Sequence, residues 1–288
     1  PAAISAAGTV NTTNAAMSLG AAPVTLIDDT TLNAGAGNIT LGGPVNDGTS
    51  GTHSLTLNST GVTTLQAAVG NTAALNSMTT NTGGTLVMNG SSVTTTGAQS
   101  YGEAVTLGVD TTLTASNVRF TDTVTGISLH VVGTTTINGG SVTTTGAQSY
   151  SGAVILGDDT TLDAGTGNIT LSGTVDSATT TAKALTLNST GITTLSDAVG
   201  NTHALASVTT NTGGTLVMNG GSVTTTDAQT YGEAITLGVN TTLTSTGAGD
   251  IRLGSTLDGA QTLNVNTAGI TRLDGVVGGV TPLTSLTT

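Results

Sequence analysis

Apolar residues along this chain come in short alternating strings: Leu55 and Leu57, Leu86 and Met88, Val105 and Leu107, Ile169 and Leu171, Ile235 and Leu237. This is the period of a strand that buries one face. The strings are interrupted by NG, GG, GAG and GD, which supply corners. No segment keeps an apolar stripe at i, i+3, i+4 and i+7, so helix content near zero is expected. Thr, Val, Leu and Ile suit pleated sheet, while Gly, Asn and Asp tolerate positive φ at corners. Asn89, Asn138 and Asn219, in equivalent NG corners, are expected to use that freedom.

The pattern repeats. Residues 28–109 align without gaps on 158–239 at an offset of 130, with 60 of 82 positions identical. Between them TINGGSVTTTGAQSY (136–150) repeats VMNGSSVTTTGAQSY (87–101). DTTL at 29, 110 and 159 and NTTL at 240 mark alternating long and short modules: 29–109 (long), 110–158 (short), 159–239 (long) and a part-module 240–288. Nine of the 22 differences between the long copies fall within 44–54, which reads as an exposed loop. Val62/Ile192, Met78/Val208 and Val105/Ile235 are apolar swaps of similar volume and read as core.

Tandem modules favour stacked units that bury each other's faces. The fold expected over 1–288 is therefore all-β: a single continuous right-handed parallel β-helix (β-solenoid) of stacked rungs, roughly 20–25 residues each. The long and short modules would be about four and two rungs. Some 13 rungs about 4.8 Å apart would give a rod on the order of 60 Å long. Tandem immunoglobulin-like domains are the rival, and the short copy counts against them: a sandwich cannot lose about 30 residues and keep its core, whereas a solenoid can drop a whole number of rungs.

Composition narrows the function. Of 288 residues 7% are charged and 1% aromatic, and there is no Cys or Trp; an ordinary soluble domain has about 25% charged residues. Net charge is −12, from 16 acidic and 4 basic side chains, so no basic patch exists to bind nucleic acid. No apolar run long enough to span a bilayer and no basic amphipathic face suggests membrane insertion in this segment. No charged and then apolar leader opens the chain, so any export signal is expected outside it.

Candidate chemistry is sparse. Lys183, Arg119, Arg252 and Arg272 recur in no copy, and Lys183 aligns with His53, so a basic catalytic cluster of the polysaccharide-lyase kind is not expected. His53, His130 and His203 are far apart and read as surface residues, without the convergence a metal site needs. Asp28–Asp29 and Asp158–Asp159 read as turn formers, without the GGxGxD array that places calcium ligands. Glu103 and Glu233 return in register in YGEA, but the short copy has YSGA (150–153); the expected reading is a capped corner with Tyr lying on the rung below. VTTT at 93, 142 and 223 occurs once per module, which weakens an ice-binding Thr plane. The remaining candidates are exposed contact loops: Asn46, Asp47, His53, Asp176 and Lys183. No enzyme activity, cofactor or metal is expected.

GGTLVMNGSSVTTTGAQSYGEAVTLGVDTTLT (83–114) and LTLNSTGITTLSDAVGNTHALASVTTNTGG (185–214) resemble repeats of filamentous-haemagglutinin-like giant exoproteins and autotransporter-type adhesins. The resemblance covers nearly the whole chain. It implies a secreted, surface-associated β-helical stalk in a diderm bacterium; the location expected is extracellular, and the partners expected are host or neighbouring-cell surface glycans or proteins. Neither a secretion domain nor an RGD tripeptide is present. A subunit of a self-assembling extracellular fibre or sheath, formed end to end or laterally, is the alternative; an ice-binding or polysaccharide-acting β-helix is a further one.

Overall fold

A computed structural model describes residues 2–288. Among them every regular element is a β-strand, and the strand pairings are parallel. The fold is a parallel β-solenoid, as the alternating strings predict. The chain falls into two compact units, residues 1–139 and 140–288.

In the first unit the chain visits three walls in turn. Val24, Val45, Val69, Val93, Leu113 and Val131 stack along the first. The second carries Thr30, Leu55, Met78, Gln99, Val118 and Thr135, and the third Ile39, Thr63, Leu86, Val105 and Val124. Each level donates and accepts backbone hydrogen bonds along the axis, which satisfies groups that so much irregular chain would otherwise leave unpaired. The inward positions are buried and mostly aliphatic, with threonine, glutamine and tyrosine among them. At about 25 cal/mol per Å² of apolar surface, this lining is the dominant stabilising term.

The second unit repeats the plan. Val154, Val175, Val199, Val223, Leu243 and Val265 form one wall, and Val142, Leu162, Leu187, Thr210, Tyr231, Leu253 and Leu273 another. Gln148, Ile169, Thr193, Leu216, Ile235 and Leu257 make the third.

Coil length is not constant. Along the second wall of the first unit each partner follows the last at a shrinking interval, from Thr30 to Leu55, to Met78, to Gln99, to Val118 and to Thr135. Every step is shorter than the one before it by two positions. The second unit begins with the same intervals, from Thr160 to Leu185, to Val208 and to Gln229. The walls keep their width while the corner loops shrink, so the shortest coils fall below the expected range.

Nor does a long module span a whole number of coils. Thr30–Leu32 stacks on Leu55–Leu57 in the second wall, whereas the matching Thr111–Leu113 carries Leu113 against Val93 in the first. Three strands make a coil, and the long module stops one strand short of four coils.

Other expectations need correction. Val62 and Ile192 are 37% and 45% exposed: they occupy the outward phase of their strands, so the swap between them tracks a tolerant surface. Met78, Val208, Val105 and Ile235 are buried as expected. Asn89, Asn138 and Asn219 keep negative φ; Gly140 and Gly221, at +75° and +73°, turn two of these three corners.

Candidate functional site

The divergent loop shows how sequence variation and structure are related. Asp47 is buried, 4% exposed. Its carboxylate accepts from the backbone N–H groups of Thr49, Thr52 and His53, and pairs with His53 Nδ1 at 2.6 Å. Burial alone would raise this carboxyl, but the bonds from His53, Thr52 and Thr49 outweigh it and hold it down at about 2. In the second copy Ser177 occupies the place of Asp47, accepting from Lys183 N–H at 3.0 Å and donating to Ala204 O at 3.0 Å. Asn46 accepts from Thr72 and Ala73 N–H on the next coil; Asp176 does the same for Thr202 and His203.

These residues were expected to be exposed. Asp47 and Asp176 are instead buried, because their side chains close the loop and tie it to the following coil. Asn46, His53 and Lys183 are half-buried. The exposed tips are Gly48–Ser50 and Ala178–Thr181. Lys183 Nζ reaches Asp158 at 3.4 Å. The paired aspartates act as turn formers: Asp29 and Asp159 each accept a backbone N–H from the coil after them, that of Ser54 and Ala184.

Beside the second loop lies a cleft of about 270 Å³ whose lining includes Ile155, Asp176, Ala178 and His203. Asp176 and His203 are brought together here although they belong to successive coils. The equivalent positions in the first copy are Asn46 and Ala73, so the acid and imidazole belong to one copy only. Among the described residues no three His, Asp or Glu side chains gather in a way that could hold a metal ion.

Two features inside the lumen were not legible as such. The first is a Gln–Tyr plug present in both long modules and in the short one. Gln99 is fully buried and donates from Nε2 to Val93 O and Thr114 O, both at 3.0 Å, while Tyr101 donates its hydroxyl to Gln99 Oε1 at 2.9 Å. Gln148 with Tyr150, and Gln229 with Tyr231, repeat these bonds. Tyr101 lies against a neighbouring coil, but from inside the lumen and not as a corner cap. It points inward and stacks on Phe120 of the following coil, with centroids 5.6 Å apart. Burial pushes all three phenols well above the usual tyrosine range.

The second feature is the glutamate of YGEA. Glu103 and Glu233 are each 1% exposed, and neither carboxyl makes a hydrogen bond. Burial raises both to about 7.

No family model, no curated protein and no solved structure matches this chain. What the site can do is therefore read from its geometry alone. It offers exposed loop tips, a small cleft, and polar groups that hold coils together.

Proposed function

We propose that this segment is a non-catalytic structural stalk of a large secreted bacterial surface adhesin or extracellular filament. The observation that carries the reading is the unbroken lining of each unit: each level is hydrogen-bonded in parallel register to the next, and aliphatic side chains fill the lumen. Such a column resists proteolysis and bending because no coil opens without exposing its neighbours. The loop tips at 48–50 and 178–181 stand out from it as contact points for cell-surface glycans or proteins. The resemblance of residues 83–114 and 185–214 to filamentous-haemagglutinin-like repeats supports export.

Self-association belongs to the same reading. Stacked parallel coils of one chain present the kind of edge on which coils of another chain can pair, end to end or laterally. The deciding experiment is deletion of this segment from the full-length gene, followed by attachment assays and electron microscopy of the cell surface. Loss of attachment or of surface filaments supports the stalk; unchanged attachment with loss of glycan depolymerisation replaces it by a polysaccharide-acting enzyme.

One observation favours a second reading. Outward threonines recur from coil to coil although VTTT does not: Thr31, Thr56 and Thr79 stack in register, as do Thr40 and Thr64. Such rows suit an ordered water or ice surface. Val87 follows Thr64 in its row, which shortens the array. Thermal hysteresis of the purified chain tests it.

A further inference from the structure

Glu103 and Glu233 sit at equivalent inward corners of the two long modules, and their surroundings repeat. Thr193, whose hydroxyl is fully buried and has no hydrogen-bond partner, lies beside Glu233, and Thr63, the equivalent position in the first module, is buried and unpartnered in the same way. The Thr80 hydroxyl accepts Gly102 N–H at 3.2 Å and comes close to the Glu103 carboxyl without reaching hydrogen-bond geometry. Thr210 accepts Gly232 N–H in the same way.

Close backbone approach demands glycine at this corner. Gly84 has φ of +102°, and a Cβ there would stand 2.5 Å from Gly61 O, 2.9 Å from Ser59 O and 3.0 Å from Glu103 Oε2. Gly214, at +95°, faces Gly191 O at 2.5 Å and Ser189 O at 2.8 Å. At Gly84 two carbonyls and the Glu103 carboxyl thus lie around one point that no side chain could occupy, and this carboxyl faces acceptors with no donor bonded to it.

We propose that each of these two corners binds an alkali-metal cation between the glutamate carboxylate, the two threonine hydroxyls and the two backbone carbonyls. The donors are hard oxygens, the set that suits group-one and group-two ions rather than softer metals. Charge selects among these ions. One carboxylate balances one positive charge, whereas a divalent ion would leave a net charge in an aliphatic lumen, which is costly. No protein cation competes: residues 59–63 and 80–84 contain no titratable group, and the facing corner 120–124 adds only Asp122, which is exposed. In the second unit 189–193 and 210–214 likewise contain none. The short copy, with Ser151–Gly152 in place of Gly–Glu, has no such carboxylate.

The test compares melting of the intact chain in sodium, potassium and choline chloride at matched ionic strength, at pH 8. At pH 8 one alkali chloride is expected to raise the melting temperature over choline by on the order of 5 °C, in a concentration-dependent way. The double variant Glu103→Gln/Glu233→Gln, neutral and of the same shape, should lose the ion dependence. Coincident curves at pH 8, or an undiminished difference in the variant, overturn the proposal. Should the variant not fold, crystals of the unaltered chain grown with thallium(I) decide: anomalous peaks beside Glu103 and Glu233 uphold the sites, and their absence overturns them.

Discussion

The Tyr101 hydroxyl donates to Gln99 Oε1 at 2.9 Å, and both residues are buried. This bond fixes the amide so that its Nε2 joins a carbonyl of its own coil to one of the next, Val93 O and Thr114 O. Tyr101→Phe leaves one buried acceptor unpaired and should cost about 1–2 kcal/mol. Gln99→Ala removes both bridges and leaves the Tyr hydroxyl and two carbonyls unpaired, so it should cost more, about 3 kcal/mol. Urea unfolding of each variant checks the order; equal losses would contradict the bridge.

Stability should depend on pH with two opposite slopes. Glu103 and Glu233 have a folded pKa of about 7 against an ordinary 4.5, so the unfolded chain ionises first. In buffers free of alkali metals, stability is highest below pH 4.5, falls as pH rises to about 7, and is flat above. The loss is about 1–3 kcal/mol per site. Asp47, held at about 2 against 3.8, contributes stability that is fully present above about pH 4 and is lost as pH falls towards 2. Thermal scans from pH 2 to 8 in choline buffer should therefore peak near pH 4–5, and Asp47→Ala should flatten only the acid limb.

Gly83 and Gly84 separate conformational strain from crowding. Both have positive φ, but a Cβ on Gly83 would meet nothing nearer than 3.9 Å, whereas one on Gly84 meets Gly61 O at 2.5 Å. Gly83→Ala should cost about 1 kcal/mol, the price of the left-handed backbone alone. Gly84→Ala should cost several times more, because a backbone carbonyl must move. Denaturant midpoints of the two variants test this ratio.

Asp176 serves as a hydrogen-bond acceptor for the next coil, the role that Asn46 fills in the other copy. Asp176→Asn should accordingly change stability by under about 0.5 kcal/mol, while Asp176→Ala should cost about 1–2 kcal/mol. Calorimetry on both variants distinguishes an acceptor from a residue whose charge matters.

The walls were legible because strand period and internal repetition speak directly about inward faces: Leu55, Leu57, Leu86 and Met88 lie where alternation puts them. The loop was misread for a physical reason. Asp47 and Ser177 differ in charge and size, yet each supplies an acceptor at one place, so divergence there reflects exchangeable hydrogen-bonding groups rather than exposure. Val62 and Ile192 failed in the other direction, since apolarity at one position carries no phase; only the next coil tells which side of the strand faces water. The Gln–Tyr plug had a signal in AQSY and AQTY, where a polar residue stands at the inward phase two before the tyrosine. The glutamate corner had less, because its partners are carbonyls and hydroxyls from two earlier coils, which leave no mark in a linear string.

That DTTL returns one strand short of four complete circuits has a consequence for how such proteins grow. Adding or deleting a module within a unit does more than lengthen it: everything downstream is re-indexed by a third of a circuit. An attachment point copied with its module would re-emerge at a new azimuth, so a series of duplications distributes identical features around the circumference, where they meet partners from several directions.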